Sequence, residues 1–444
     1  MAERLVNVDR ETPLLLPVDL RDWVPGDDLV HFVINAVETM NLSALSVNRR
    51  GTGNEQYPPR MMLALLIYCY ASGVFGSRRI ERATYRDLAV RYLTGDTHPD
   101  HDTICAFRRA NGEVIKEAFL EVLKLAREMK LLKVGTISVD GTHINANASK
   151  HKSVRYDRAG ELEQKLRKDI AELMQRAERS DNEPSADEQS LPKEIARRER
   201  LLAKMREARQ QLEERARGKE GGGSDSTGSP GGTAAGGSGG ESSKGTPEPS
   251  QQINLTDPDS ALMRKSHHDS YQQAYNAQAV VDADGSQLIV ATDVLQTPAD
   301  SNQLQAAVHG VAAAVGTVQR VLADGGYLNV DEFDDLQKEH VEVYVAVTGE
   351  DPNERNYDYR PARERPRKKV TDPRLVAMRD KVASAEGKRI YALRARTVEP
   401  AFGIIKGAIG FRQFLLRGIE KVRLEWGLVC LAYDCKRLWR LAEG

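Results

Sequence analysis

The first part of the chain alternates short apolar runs with polar turns at the spacing of helices. The segment "DDLVHFVINAVETM" places apolar residues on one helical face. They are Leu29, Phe32, Val33 and Val37. The most apolar stretch, "MMLALLIYCYASGVF", covers residues 61–75. It is shorter than the ~18 residues that a membrane-spanning helix needs, so we predict a buried helix there and no membrane partner.

Two further helical patterns follow, "RRIERATYRDLAVRYL" and "PDHDTICAFRRANGEVIKEAFLEVLKLAREMKLL". The second begins with Asp102-Thr103, which predicts a helix cap. Arginines stand between the apolar positions at Arg78, Arg79, Arg108 and Arg109. Short helices with exposed arginines are compatible with a helix-turn-helix-like DNA-binding module, and also with a bundle whose arginines are only solvated. We expect a helical domain over residues 1–133, with Arg108 and Arg109 as candidate DNA contacts.

The pattern then changes to the period-two alternation of a strand. The segment "VGTISVDGTHIN", residues 134–145, is rich in β-branched residues and predicts a strand that ends near Asp140. Strand patterns return in "AYNAQAVVDADGSQLIVATDVLQ", "VQRVLADGGY" and "VEVYVAV", with helical patterns in "SNQLQAAVHGVAAAVG", in "NVDEFDDLQKEH" and over most of 373–443. This mixture favours an α/β domain with a mixed sheet, formed by residues 134–149 and 262–443.

A stretch of different composition separates the first strand from the others. Residues 150–220 contain two highly charged helical patterns, whose apolar stripes predict an antiparallel hairpin with a coiled-coil seam. The stripes are Leu162, Leu166, Ile170 and Leu173, then Ile195, Leu202, Met205 and Leu212. Residues 221–261 include "GGGSDSTGSPGGTAAGGSGGESSKGT", which predicts a flexible Gly/Ser linker. The α/β domain is therefore interrupted by an insertion, either an interaction hairpin or a neutral spacer.

The charge of the whole chain is balanced, with 64 basic and 65 acidic residues. A local excess lies at 351–424, which contains 19 Lys and Arg against 9 Asp and Glu. Within it, "RPARERPRKK" at 360–369 is either a solvated loop or a flexible basic arm that binds a polyphosphate backbone. The candidate DNA contacts in this arm are Arg363, Arg365, Arg367, Lys368 and Lys369.

Asp-Gly occurs at 140–141, 284–285 and 324–325. The pair at 284–285 stands between two alternating runs and predicts a hairpin turn without chemistry. Asp140 and Asp324 instead follow apolar strand patterns, and a carboxylate at the end of a buried strand is a common place for a site in α/β sheets. Taken singly, each aspartate is equally compatible with a loop cap.

A glutamate within an apolar run gives these two aspartates a joint interpretation. Glu399 stands directly before Pro400, so either a helix begins there or a longer helix from about residue 386 kinks there. Three clustered carboxylates repel one another unless a cation neutralises them, and hard oxygen ligands suit Mg²⁺ or Mn²⁺. Two such ions can stabilise the attacking and leaving oxygens of a phosphodiester displacement. We therefore expect Asp140, Asp324 and Glu399 to form a two-metal site.

The segments "SVDGTHINAN", "YNAQAVVD", "VLADGGY" and "YALRARTVEPAFGIIKG" resemble the DDE transposases of bacterial insertion sequences. Near the amino terminus, "RDWVPGDDLVHFV", "YPPRMMLALLIYCYASGVFGSRRIERATYRDL" and "THPDHDTICAFRR" resemble the helical domain that precedes the catalytic domain in one branch of that family. The resemblance covers nearly the whole chain except residues 150–260. It implies an RNase H-like catalytic fold, with Asp140, Asp324 and Glu399 as its first, second and third acidic ligands.

The family also has a carboxy-terminal signature in which a tyrosine, an arginine, the glutamate and a lysine follow in order. Tyr391, Arg394, Glu399 and Lys406 match that order. The interval between Arg394 and Glu399 is one residue longer than in the commonest form of the signature. Lys406 lies two α-helical turns beyond Glu399, hence on the same face. Arg394, Arg396 and Lys406 are therefore candidate DNA contacts.

The resemblance implies hydrolysis at each transposon end, followed by attack of the freed 3′-hydroxyl on target DNA. The implied partners are duplex DNA, as terminal inverted repeats and target, and further copies of the chain in a homodimer or higher oligomer. The polar start "MAERLVNVDRETP" carries no export signal, so we expect a cytoplasmic protein that joins the nucleoid when bound to DNA. The alternatives are a metal-dependent nuclease without strand transfer and a catalytically degenerate DNA-binding protein. The presence of all three acidic residues argues against the last.

Overall fold

The structure is a computed structural model that describes six stretches of the chain. They are residues 19–45, 56–180, 191–218, 247–264, 269–347 and 370–443. The Gly/Ser run at 221–246 and the basic arm at 360–369 lie outside the described residues. The candidate DNA contacts Arg363, Arg365, Arg367, Lys368 and Lys369 lie in that arm. Within the six stretches, no helix is both long and apolar enough to cross a membrane.

Among the described residues, all regular structure before the first strand is helical: a short 3₁₀ helix at Leu20–Trp23 and then six α-helices. They are α1 (Leu29–Thr39), α2 (Pro59–Ala71), α3 (Ser77–Arg86), α4 (Leu88–Leu93), α5 (His101–Ala110) and α6 (Gly112–Glu128). The predicted apolar helix is α2, which is buried from Met62 onward. Pro59 stands in its first turn, where a missing N–H costs little. The predicted cap at Asp102-Thr103 is wrong, because Asp100 caps α5 by accepting a hydrogen bond from Thr103 N.

The strands form one mixed sheet and one small two-stranded sheet. They are β1 (Thr136–Asn145), β2 (Ser153–Arg155), β3 (Gln252–Asn254), β4 (Ala261–Met263), β5 (Gln272–Asp282), β6 (Ile289–Leu295), β7 (Arg320–Ala323) and β8 (Glu342–Val345). On one side of the central β1, β5 pairs antiparallel with β1 and in turn with β4 and β6. On the other side, β7 pairs parallel with β1 and β8 with β7. This strand order is RNase H-like, so the predicted fold class is confirmed.

The central strand β1 is longer than its sequence pattern predicted. The prediction that it ends near Asp140 is wrong, because pairing with β5 continues from Gly141 to Asn145. The parallel partner β7 leaves it earlier, since their last paired residues are Ser138 and Leu322. Asp140 therefore stands in the middle of a strand, just past the point where the neighbouring parallel strand ends its pairing.

Six further helices surround the sheet. They are α9 (Leu304–His309), α10 (Val330–Lys338), α11 (Pro373–Ala383), α12 (Ala385–Tyr391), α13 (Leu393–Gly403) and α14 (Ile419–Glu443). The helix predicted for "SNQLQAAVHGVAAAVG" is shorter than expected, since α9 ends before Gly310, a residue that disfavours helix interiors. The last helix, α14, packs against α2 and α6 on one side and against β6 on the other. The amino-terminal helices and the main sheet consequently share one hydrophobic core.

The insertion is a helical hairpin with a small sheet at its base. α7 (Tyr156–Ser180) and α8 (Leu191–Gly218) pack on each other through apolar residues of the two predicted stripes. The buried ones are Leu166, Ile170, Leu173, Leu202, Met205 and Leu212. At the base, β2 pairs antiparallel with β3. The prediction of a flexible linker over 221–261 is wrong for its last part, because β3 is paired there and Asp257 is buried, accepting a hydrogen bond from Gly418 N.

Candidate active site

Three carboxylates that are distant in sequence approach one another beside β1. Asp140 projects from β1, Asp324 directly follows β7, and Glu399 lies on α13. α13 packs across β1, where the hydroxyls of Thr397 and Ser138 lie 2.8 Å apart in a buried hydrogen bond. This contact fixes the helix over the part of the strand that leads to Asp140, and it brings Glu399 to the same edge.

The guanidinium of Arg394 stands between these carboxylates. Its Nη2 lies 2.8 Å from Asp140 Oδ2 and 3.9 Å from Asp324 Oδ2. Its Nη1 lies 3.5 Å from Glu399 Oε1. Clustered carboxylates repel one another unless a positive charge lies among them, and Arg394 supplies that charge. Its Nε is buried and has no hydrogen-bond partner, so one N–H donor of the guanidinium stays unpaired in this position.

The three carboxylates differ in their contact with solvent. The side chain of Asp140 is 16% exposed, against 41% for Asp324 and 56% for Glu399. Burial raises the pKa of Asp140 to about 6, with the charge of Asp324 adding to the rise and that of Arg394 opposing it. Asp140 is therefore the least solvated of the three carboxylates, and the one for which a nearby cation matters most.

Two further contacts hold the elements around Asp324. The hydroxyl of Tyr391, the tyrosine of the predicted signature, donates a hydrogen bond to the carbonyl of Ala323 over 3.1 Å. Asp324 itself accepts a hydrogen bond from Gly326 N over 2.8 Å. The first contact ties the end of α12 to the end of β7, and the second orients the Asp324 carboxylate in the turn that follows.

The helix that carries Glu399 contains a proline in its interior. The sequence left two alternatives open, a helix that begins at Glu399-Pro400 and a longer helix that kinks there. The second agrees better with the structure, since α13 runs through Pro400. It does not reach back to residue 386, because α12 is a separate helix. Proline cannot donate to the carbonyl four residues earlier, which is that of Arg396. Gln287 Nε2 donates to this carbonyl over 2.6 Å instead, so no backbone acceptor is left unpaired by the proline.

Beyond the proline, a π-helical turn covers Ile404–Ile409. The prediction that Lys406 shares a face with the glutamate assumed α-helical geometry, which the wider turn does not keep. Lys406 Nζ nevertheless contacts the hydroxyl of Thr142 and donates to the carbonyl of His143 over 3.0 Å. Thr142 lies two residues after Asp140, hence on the same face of β1. The lysine therefore reaches the strand beside the carboxylates.

A fourth carboxylate, Asp300, lies beside the site and was not predicted. Its Oδ1 accepts hydrogen bonds from Asn276 Nδ2 and Gln278 Nε2, each over 2.7 Å. Gln278 pairs with Gly141 across the strands, and any side chain at Gly141 would overlap this polar group. Burial raises the pKa of Asp300, and the charge of Asp324 adds to the rise. The sequence "TPADS" gave no signal beyond that of an ordinary polar turn.

The residues of this site are chemically suited to a divalent cation, but the three carboxylates contact Arg394 and are not arranged around a common metal position. Carboxylate oxygens are the ligands that Mg²⁺ and Mn²⁺ prefer, and three of them already surround one positive group. Among the residues that the structure describes, no group of three or more His, Cys, Asp or Glu side chains is arranged to hold a metal ion. The Arg394 guanidinium lies between Asp140, Asp324 and Glu399, so binding of a metal requires it to withdraw.

The candidate DNA contacts fall into different environments. Arg394 and Lys406 lie at the carboxylate site, whereas the side chains of Arg396 and Arg109 are exposed and do not contact the carboxylates. The prediction that Arg108 is an exposed DNA contact is wrong. It is 5% exposed and donates a hydrogen bond to the hydroxyl of Tyr70 over 2.7 Å, so its charge cannot reach a phosphate.

Comparison with known families gives two matches, one in each half of the chain. Residues 246–435 match the family described as "Transposase DDE domain", and residues 18–110 match "Transposase domain (DUF772)". No curated protein and no solved structure matches the chain. The first range contains Asp324 and Glu399 but starts after the hairpin, so it excludes Asp140. β1 nevertheless pairs with β5 and β7, which both lie within the matched range.

Proposed function

Because the chain belongs to the DDE transposases of insertion sequences, we propose that it cuts DNA at the ends of its own element and joins those ends to target DNA. Transposases act on DNA, and DDE domains generally depend on a divalent metal. The observation that carries the proposal is the approach of Asp140, Asp324 and Glu399 to one cation, Arg394. If Asp140 and Asp324 were only turn or cap residues, they would not need to approach Glu399 around a common cation.

In this proposal the three carboxylates hold two Mg²⁺ ions, for which Mn²⁺ can substitute. When bound, such ions stabilise the charge on the attacking and leaving oxygens of a phosphodiester displacement. Asp140 is held rigidly by β1, while Asp324 and Glu399 have more exposed carboxylates that can adjust. Arg394 is then released from the carboxylates and becomes available to a DNA phosphate, which offers a planar guanidinium two acceptor oxygens.

The two reaction steps use the same site. In the first, a water oxygen bonds to phosphorus at the element's end while the bond to the 3′ oxygen breaks, leaving a 3′-hydroxyl and a 5′-phosphate. In the second, that 3′ oxygen bonds to phosphorus in target DNA, and the target's own 3′ oxygen leaves. Both displacements have the same charge distribution, so one set of residues serves both. Lys406 and Arg396 supply positive charge for the DNA backbone on either side of Glu399.

The wider organisation follows from this reaction. The catalytic domain consists of residues 134–149 and 262–443, and the helical region 1–133 binds the terminal inverted repeats. The basic arm at 360–369 adds contacts to the phosphate backbone. Two ends must be joined to one target, so the active complex contains two or more copies of the chain.

The proposal can be tested with purified protein and labelled duplexes that carry the terminal inverted repeats flanking the gene. We expect wild-type protein with Mg²⁺ to cut these ends, and Asp140→Asn, Asp324→Asn and Glu399→Gln each to lower the rate by at least 10²-fold. Asp380→Asn is the matched control, because that carboxylate is 64% exposed and pairs with Arg379, which is not a residue of the site. It should keep the wild-type rate.

Two results would contradict the proposal in different ways. If each of the three variants cuts the ends as fast as wild type, the carboxylates are not the catalytic residues. If wild type cuts the ends but never joins them to a target plasmid, the protein is a metal-dependent nuclease and the strand-transfer step is wrong. A wild type that binds the ends and does neither is a DNA-binding protein without catalysis.

A further inference from the structure

One helix of the amino-terminal region presents a surface of unneutralised arginines. Its members are Arg78, Arg79, Arg82 and Arg86, all on α3 and all exposed. Within the described residues, none of these four side chains has an ion-pair or hydrogen-bond partner. The acidic residue of the same helix, Glu81, is engaged elsewhere, since its carboxylate lies 2.9 Å from His101 Nδ1. Four guanidinium groups on one short helix therefore stay available for an external anion.

The packing of α3 determines which of its faces meets solvent. Ile80 and Thr84 are fully buried and point into the protein. At about 100° per residue, the four arginines occupy the opposite side of the helix, within an arc of roughly 100°. Tyr85 borders this arc. It is 56% exposed and stacks on His98 with ring centroids 3.8 Å apart, which fixes its ring at the edge of the basic surface.

The acidic residues nearest to this surface do not neutralise it. Asp87 follows α3 and is used as a cap, since its Oδ1 accepts a hydrogen bond from Val90 N over 3.0 Å. Asp102 belongs to α5, which packs against α3, and its side chain lies 3.7 Å from His101 Nε2. Both carboxylates thus point to groups within their own segments, and the arginine face keeps its positive charge.

We propose that the arginine face of α3 binds in the major groove of duplex DNA at the ends of the element. This inference rests on the proposed function, which makes DNA the partner, and adds the surface that holds it. Arg78 and Arg86 lie about 12 Å apart along the helix axis. The major groove of B-form DNA is also about 12 Å wide and admits an α-helix, with phosphates along both of its edges. The narrow major groove of an RNA duplex does not admit a helix, which favours DNA.

The test measures how the dissociation constant for a labelled end duplex depends on salt. Each lost phosphate contact lowers the slope of log affinity against log salt by about 0.9. If all four arginines contact phosphates, wild type loses about 150-fold more affinity between 50 and 200 mM salt than a variant with Arg78, Arg79, Arg82 and Arg86 changed to Ala. A variant with four Arg→Lys changes keeps the charge and should keep the wild-type slope. Thermal melting checks that each variant is folded.

A charge-matched control is available on the hairpin insertion. It changes Arg176, Lys193, Arg200 and Lys204 to Ala, which are exposed residues that also have no partner among the described residues. This control should keep the wild-type slope. The inference is overturned if the α3 alanine variant keeps the wild-type slope, if the control loses as much, or if wild type binds no duplex at all.

The same proteins separate this inference from the proposed function. At limiting protein, the α3 alanine variant should cut and join ends more slowly than wild type in proportion to its weaker binding, whereas the hairpin control should match wild type. If wild type cuts and joins while the α3 variant binds DNA like wild type, only the inference fails. If wild type binds with the expected slope but performs no chemistry on DNA, the proposed function fails and the α3 surface stands.

Discussion

At the scale of single residues, Arg394 has two incompatible partners in the proposed reaction. It lies among Asp140, Asp324 and Glu399, where a divalent cation would take its place. It is also one of the residues proposed to contact DNA. A positive side chain that neutralises a carboxylate cluster stabilises the metal-free protein and, by the same contacts, competes with the metal. We therefore expect a lower affinity for metal than three carboxylates alone would give.

This competition predicts the behaviour of Arg394→Gln. Without metal, the variant should melt at a lower temperature than wild type, because it loses the charged hydrogen bond to Asp140, worth about 1.5–3 kcal/mol. With saturating Mg²⁺ or Mn²⁺, its melting temperature should rise by more than that of wild type, since no guanidinium has to leave. Arg396→Gln is the matched control, because its exposed side chain has no contact with the carboxylates. Equal metal-induced shifts in Arg394→Gln and wild type would show that Arg394 does not compete.

The site residues predicted from the sequence share a property that can be recognised from the residues next to them in the chain. Asp140, Asp324 and Glu399 each interrupt or end an apolar pattern, and they stand in segments that resemble those of a known family. The sequence around Arg108 and Asp300 has no such feature. Arg108 is buried beside Tyr70, and the polar turn with Asp300 approaches β1, so both contacts depend on segments that are distant in the chain. Long-range packing decides these contacts, and a pattern of neighbouring residues does not contain them.

At the scale of elements, the insertion is joined to the catalytic sheet through a narrow base. Its two helices bury their apolar residues mainly against each other. The strands at its base are direct partners, with Arg155 opposite Gln252. Several apolar contacts cross from the hairpin to this base. Ile253 packs against Ala208 and Leu212 of α8, and Val154 and Leu255 pack against the apolar cluster between the two helices. The sequence predicted the hairpin from its stripes but missed β3, because a strand of three residues carries too little periodicity.

These contacts predict that the hairpin can be removed without loss of the fold. We would delete residues 156–251 and join Arg155 to Gln252 by Asn-Gly, which suits a two-residue turn between paired strands. The variant should lose about 3–5 kcal/mol of stability, because Ile253 becomes exposed and Val154 and Leu255 lose the apolar cover of the hairpin. Circular dichroism melting measures this loss, and deletion of 221–246 alone is the control that keeps the hairpin. An insoluble or unfolded product would mean that the hairpin is part of the catalytic core.

At the scale of the whole molecule, the amino-terminal helices are built onto the catalytic sheet. Arg108 of α5 donates to the hydroxyl of Tyr70 on α2, which lies 3.4 Å from Glu425 Oε1 on α14. Glu425 Oε2 also accepts hydrogen bonds from the backbone of Leu415 and Leu416, each over 2.9 Å. The sequence separated a helical domain from an α/β domain by their patterns. The sequence could not show that α14 joins them, because the apolar pattern of a buried helix does not indicate which elements pack against it.

This buried group predicts that the two regions unfold together. Glu425→Ala removes the buried counter-charge of Arg108 and leaves the N–H groups of Leu415 and Leu416 without their acceptor, which should cost about 3–5 kcal/mol. Because one core spans both regions, circular dichroism and tryptophan fluorescence should report the same single transition at a lower temperature. Glu420→Ala is the control, since its side chain lies on the same helix and is 82% exposed; it should melt with wild type. Two separate transitions in the variant would show that the amino-terminal helices and the sheet unfold as independent units. In that case α14 would not hold the α3 surface in a fixed position relative to the carboxylates.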